Sequence, residues 1–370
     1  MKTLLSFVSA SVLAVSFSFA QVPGIPGLSR APVASGPQGT TLGANTTSGA
    51  GGIDLANRVK LRGFVDFTYA NHQNEQGNDQ AGFETAADVD FLFDFSPVTA
   101  EIHTNLSSDR VVSSTGLAGG VPVSTTGSTT AAALEQVFIR YNINRDFSLS
   151  MGRQLSTLGF EGDELPNLYQ VSHAYLLGDQ TSTASLGTPS LRRNYVDGVR
   201  ANFNNGRFGF SLGLHNALYT DDDSTKSGEV AVDLQAAIMI MPGLEGRLGY
   251  AHESNDGVNQ DIEQFNAWLA YNDRALTLAI EYDNWEVRTQ DAWNLMLMGN
   301  YQFNNLFGLT LRYSHEDFEN LAESDRITLY TSFAITDNFS LGLEYSHASV
   351  DAVTGDYDVD EFYANSLLSF

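Results

Sequence analysis

Apolar and polar side chains alternate along most of this chain. Reading back from Phe370, every second residue is Leu368, Ser366, Ala364 and Phe362, a mostly apolar row ending on an aromatic. The row between holds Ser369, Asn365 and Tyr363, with Leu367 as its apolar exception. A period of two is a β-strand with one oily face and one wetter face. A bare strand edge is open to further pairing, so this terminal strand needs a partner. The first strand, near Leu61, is the partner that would close the sheet into a barrel.

The same texture runs from Arg58 onward. Alternating runs occupy residues 58–69, 82–95, 98–106, 133–141, 146–152, 192–203, 207–218, 229–241, 244–253, 262–271, 275–285, 291–303, 307–316, 325–335, 338–346 and 359–370. That predicts sixteen strands, an even number, most near the roughly 9–11 residues that cross a bilayer at a tilt. One set of connections is tight: Ser96-Pro97, Asn204-Asn205-Gly206, Pro242-Gly243, Asn304-Asn305 and Thr336-Asp337 among them. These are hairpin-turn residues. The other set, including 107–132, 155–191, 220–228, 254–261 and 350–358, is long and polar. Strict alternation of short turns with long loops predicts an all-β transmembrane antiparallel barrel, with turns in the periplasm and loops outside. A weak repeat supports this. Tyr301 to Leu309 and Phe333 to Leu341 each descend on aromatic or apolar residues, turn on polar ones and ascend in alternation. Ascents end on Tyr250, Tyr282, Tyr313 and Tyr345, as an interfacial aromatic girdle requires.

The first 57 residues differ. Lys2, an apolar run from Leu4 to Phe19 and Ser18-Phe19-Ala20 predict a secretory signal peptide over 1–20, with a mature start at Gln21. Residues 21–57, with Pro23, Pro26, Pro32 and Pro37 among Gly, Ser and Thr, read as a linker or tail. The barrel then spans 58–370. No later apolar run is long enough for a transmembrane helix, so a membrane is crossed here only by a closed sheet.

Period two also assigns the faces. The outward rows are Phe208, Phe210, Leu212 and Leu214; then Val230, Val232, Leu234, Ala236, Ile238 and Ile240; then Phe339, Leu341, Leu343 and Tyr345. The inward rows carry Gly, Ser, Asn and charge, which predicts a wet lumen, and sixteen strands leave room for a water channel. By parity Arg62, Arg140, Arg192, Arg200, Arg207, Arg247, Arg312 and Arg326 point inward, with Asp66, Asp90, Glu101, Asp233, Glu245, Glu281 and Glu344. Such mixed charge either sets a field that tunes ion preference or neutralises itself within a wet wall.

Net charge is −25 over 370 residues, with no cysteine. The acidity argues against nucleic acid, and the missing cysteine excludes disulfides, a thiolate metal site and a lipoprotein anchor. The acids cluster in the long loops, which would place the net charge mostly outside the membrane. No Gly-x-Ser-x-Gly, His-Glu-x-x-His or phosphate loop is present, so no enzyme or cofactor is expected. Asp221-Asp222-Asp223 reads as a solvated acidic loop. Tyr250-Ala251-His252, Tyr313-Ser314-His315 and Tyr345-Ser346-His347 read as interfacial belt residues on separate hairpins.

Three short motifs carry a family resemblance: Glu135-Gln136-Val137-Phe138-Ile139-Arg140-Tyr141, then Met151-Gly152-Arg153-Gln154, then Tyr195-Val196-Asp197-Gly198-Val199-Arg200. In them the chain resembles the general bacterial outer-membrane porins. The resemblance implies a homotrimer and passive diffusion of small hydrophilic solutes and ions. It also implies that the loop after the fifth strand, 155–191, folds inward as a constriction. Its acids Glu161, Asp163 and Glu164 would then face wall arginines Arg62, Arg140, Arg192 and Arg200. Arg153 departs from the pattern: parity puts it with Leu149 and Met151, so either Gly152 makes a bulge or Arg153 lies beyond the apolar band. The expected surroundings are outer-membrane lipid and lipopolysaccharide. The alternative function is surface adhesion or interaction through the acidic loops; a barrel hydrolase lacks a paired Ser and His.

Overall fold

Alternation needs a closed surface if both strand edges are to be satisfied, and the chain forms one. A computed structural model describes residues 53–56, 58–75, 79–108, 114–118, 121–125, 131–162, 165–177, 195–219, 230–254, 261–287, 290–353 and 355–370. The expected signal peptide and most of the expected linker lie outside the described residues.

The strands in chain order begin with β1 (Ile53–Ala56), β2 (Val59–Asn74), β3 (Gln80–Phe95), β4 (Val98–Ser108), β5 (Ser114–Ala118) and β6 (Val121–Thr125). They continue with β7 (Ala131–Asn142), β8 (Phe147–Leu155), β9 (Tyr195–Asn204), β10 (Phe208–His215), β11 (Ala231–Met241) and β12 (Leu244–Glu253). The last seven are β13 (Ile262–Asp273), β14 (Leu276–Val287), β15 (Gln290–Gln302), β16 (Phe307–Phe318), β17 (Ala322–Ala334), β18 (Phe339–Ala352) and β19 (Tyr357–Ser369). Sixteen of these, β2 to β4 and β7 to β19, form an antiparallel ring in which β19 pairs with β2. Closure runs from Val359↔Asn74 to Ser369↔Phe64, and Phe370 and Gly63 exchange both backbone hydrogen bonds at 2.9 and 3.0 Å. Beyond the end of β19, the free edge of β2 is taken by β1, with Ile53 opposite Leu61. Three residues of the stretch read as linker, Ile53, Asp54 and Ala56, are therefore paired. A separate hairpin, β5 with β6, stands within the loop between β4 and β7.

The outer face is the apolar row in β10, β11 and β18, as period two assigns it. Along β10 exposure alternates strictly, with Phe208, Phe210, Leu212 and Leu214 exposed and the residues between them buried. β17 and β18 do the same over most of their length. The tight turns share one chemistry. Asn205 Oδ1 accepts the N–H groups of Arg207 and Phe208, Asn304 Oδ1 those of Leu306 and Phe307, and Thr336 Oγ1 those of Asn338 and Phe339. A short polar side chain that bonds its own turn backbone is what these positions demand.

Two sequence expectations need correction. The alternation of short and long connections is not strict: Val287 to Gln290 and Phe318 to Ala322 are as short as the turns at the opposite end. At Phe318–Ala322, Leu321 N bonds Phe318 O at 2.9 Å, and Asn320 takes φ +61°. Arg207 does not line the wall. It precedes β10, in the turn braced by Asn205, and lies exposed with its guanidinium over the Phe208 ring at 5.5 Å. Arg153 stays outside: it registers with Asp197 next to Val137, 3.9 Å from the Asp197 carboxylate, while Gln154 turns inward and is buried.

Candidate functional site

The lumen side of the ring carries the charge, and the chain after β8 folds into it. Leu155 ends β8, and residues 156–162 and 165–177 run along the inner wall, with a single 3-10 turn at Leu165–Asn167. Their backbone N–H groups need acceptors away from water. Wall side chains supply them in succession. Thr157 N and Oγ1 bond Asp233 on β11 at 3.3 and 3.0 Å. Phe160 N bonds Glu281 on β14 at 2.6 Å. Val171 N and Ser172 N converge on Glu344 of β18, at 2.5 and 3.2 Å. Leu176 N and Leu177 N converge on Glu316 of β16, at 2.6 and 3.0 Å. A carboxylate is a good acceptor for backbone N–H groups, and a stronger one where it is ionised.

Arg312 on β16 fixes the middle of this segment. Fully buried, it donates to Glu161 at 2.6 Å, to Ser172 O at 2.9 Å and to His173 O at 2.6 Å. Arg326 on β17 donates to His173 O at 3.1 Å and pairs with Glu361 on β19. Apolar contacts complete the seat. Phe160, Tyr169 and Ala174 pack on Trp268, Met296 and Met298 of the wall. Leu158 lies over Gly249 of β12, where any Cβ would run into it. The inner face of β13 to β15 is therefore not uniformly wet: its apolar residues form a dry seat for the folded-in segment.

Elsewhere on the wall, charges pair with one another. Glu101 on β4 lies 3.5 Å from Arg140, 3.9 Å from Arg62 and 3.1 Å from His103 Nε2, whose Nδ1 is 2.9 Å from Asp90. Arg200 on β9 meets Asp233 at 3.4 Å, and His215 meets the same carboxylate at 3.1 Å. Gly213 leaves room for that cluster, since a Cβ there would collide with the Asp233 and His215 side chains.

The expected residues thus separate into groups. Arg62 and Arg140 come together, but on Glu101 of the wall. Arg200 is tied to Asp233. Glu161 meets Arg312 rather than Arg62, Arg140 or Arg200. Arg192, Asp163 and Glu164 lie outside the described residues. Among the buried residues of the described wall stand five arginines and twelve carboxylates. All twelve of these acids fall within the strand runs assigned from the sequence. Sequence reasoning missed Asp88, Glu253, Asp283, Glu316 and Glu361. All five lie on inward rows already assigned by period two, so following each row along its whole strand would have found them.

A ring of sixteen antiparallel strands, apolar outside and charged inside, with a chain segment folded against its inner wall, is a specific architecture. Solved structures with the same ring include an outer-membrane channel and an anion-selective porin. The fold is that of the outer-membrane porins. The high-pH structure of OprB from Pseudomonas putida superposes with a TM-score of 0.62 at 10% identity, covering 85% of this chain and 94% of that one. The outer-membrane channel DcaP of Acinetobacter baumannii gives 0.60 at 12% identity, over 87% of this chain and 100% of that one. An anion-selective porin from Comamonas acidovorans gives 0.60 at 13% identity, over 84% and 99%. No protein-family model and no curated protein sequence matches the chain.

Proposed function

We propose that this porin-fold barrel resides in an outer membrane and forms a water-filled channel for passive diffusion of small hydrophilic solutes and ions. The observation that carries the reading is the combination of a continuous apolar outer row with a charged inner wall. A ring of that kind is stable in lipid only with its polar face turned to an aqueous lumen. Residues 156–162 and 165–177 narrow the lumen from the β11–β18 side, and Arg312 with Glu161 forms the charged waist. Arg62, Arg140 and Arg200 with their carboxylates line the facing wall. No step of the reading involves bond making, so the protein works without a catalytic residue. Export by the 1–20 signal, association as a trimer and contact with lipopolysaccharide belong to the same reading.

The test is single-channel recording of the purified protein in a planar bilayer. Stepwise conductance is expected. A well-folded barrel that stays silent, including after removal of residues 21–52, would refute the channel and favour surface interaction.

A further inference from the structure

The three Tyr-x-His sequences sit on the outer face, at the ends of β12, β16 and β18. Each faces a carboxylate on the next strand. His252 Nδ1 lies 3.5 Å from Glu263, and His347 Nδ1 lies 3.0 Å from Asp360, which also accepts the Tyr345 hydroxyl at 2.6 Å. On the β16–β17 hairpin the same pair recurs, with Asp325 accepting from Tyr313 at 2.5 Å and lying 3.1 Å from His315 Nδ1. Here a second acid is added. Glu323 lies 3.9 Å from His315 Nε2, and ligand atoms of His315, Glu323 and Asp325 all fall within 4.8 Å of one another.

The cluster offers three atoms of metal-ligand type close together. His315 is only 8% exposed, its ring held 4.5 Å from the Trp293 ring. Its Nδ1 is committed to Asp325. Donation of Nδ1–H to a carboxylate fixes the tautomer and leaves a lone pair on Nε2, the arrangement that orients metal-binding histidines. Nε2 has no hydrogen-bond partner and faces Glu323. Two ligands on one tetrahedral zinc stand about 3.4 Å apart, given bonds of roughly 2.0–2.1 Å. Glu323, with its side chain 53% exposed, closes that gap by moving a few tenths of an ångström. Asp317 beside it accepts from Trp293 Nε1 at 3.0 Å, and Asp351 stands opposite Glu323 in register. The local charge therefore also calls for a cation. The tight Phe318–Ala322 connection brings Glu323 within reach of His315.

We propose that His315 Nε2 and Glu323 bind a first-row divalent metal of the zinc type on the outer rim of β16–β17, with Asp325 as the positioning carboxylate. Imidazole with carboxylate oxygen suits such ions, and water completes the coordination.

The test uses the full chain purified in detergent, with barrel folding of every variant checked by heat-modifiable gel migration. In equilibrium dialysis against Zn(II), one strongly held ion per chain is expected. His315→Ala and Glu323→Gln each weaken it at least tenfold, Asp325→Asn weakens it less, and His347→Ala leaves it unchanged. Ni(II) should quench the share of tryptophan emission that Trp293→Phe removes, and should fail to do so in His315→Ala. Zinc affinity that is unchanged in folded His315→Ala, or lowered equally by His347→Ala, overturns the assignment.

Discussion

Arg312 concentrates more of the folded-in segment's contacts than any other wall arginine described here. Its guanidinium is fully buried and serves a carboxylate and two backbone carbonyls at once. Replacing it by Met takes the guanidinium from Glu161, which keeps Ala174 N at 2.7 Å and Gln170 Nε2 at 3.1 Å; a broken buried pair costs about 3–5 kcal/mol, and less where such partners remain. The expected result for Arg312→Met is a larger or noisier single-channel conductance as Glu161, Ser172 and His173 loosen, with a lower temperature for the gel-shift transition. Glu344→Gln is milder. One amide oxygen still accepts from Val171 or Ser172, and charge-assisted bonds worth about 1.5–3 kcal/mol each are weakened rather than lost. Conductance should therefore change in the same direction but less than for Arg312→Met. Gly249→Val tests the apolar seat: the new side chain occupies the place of Leu158, and an altered conductance with an intact gel shift is expected. At this scale the sequence was legible only in part. Parity put Arg312, Glu281 and Glu344 on the inner face because lipid and water sort alternate residues. Parity does not say what comes to rest on that face. A backbone N–H carries no sequence signature, so the carboxylates that hold residues 157–177 could not be matched to their donors.

The elements were the most legible part, for a physical reason. Each strand must present an apolar row to lipid, and each tight turn must satisfy its own backbone, so Asn205, Asn304 and Thr336 mark their turns openly. The connections Val287–Gln290 and Phe318–Ala322 were hidden by the opposite circumstance. Their acidic flanks, Glu286 with Asp291 and Asp317 with Glu323, look like loop but are register partners on extended strands. Arg207 was misplaced because parity was carried through a turn, where alternation no longer holds. The junction of β2 with β19 gives an element-scale prediction. A Cβ at Gly63 would collide with the Asp88 carbonyl and crowd the Phe370 ring. Gly63→Val should reduce the fraction of refolded protein that shows the heat-modifiable band; a wild-type fraction would show that the junction tolerates the shift.

At the scale of the whole molecule, the balance of wall charge sets the expected ion preference. The described wall buries twelve carboxyl groups against five arginines, an excess of acidic side chains, although several are engaged by backbone N–H groups. Charged linings of one sign raise the local concentration of the opposite ion. Reversal potentials in a KCl gradient should therefore have the sign of cation preference, and should move toward zero preference in a Glu101→Gln, Asp90→Asn double variant. Ring closure has a consequence for how such a molecule comes into being. His72 on β2 meets Glu361 on β19 across 289 positions of chain, so the last joint of the circle is also the most distant in sequence. Contacts of that span are slow to form, because the loop entropy is spent before any of them returns stabilisation. Until they form, two raw strand edges remain available to any neighbouring chain. The interval between the pairing of the first hairpins and the joining of the ends is the period of greatest danger from aggregation, and assembly in the cell must shorten it or shield it.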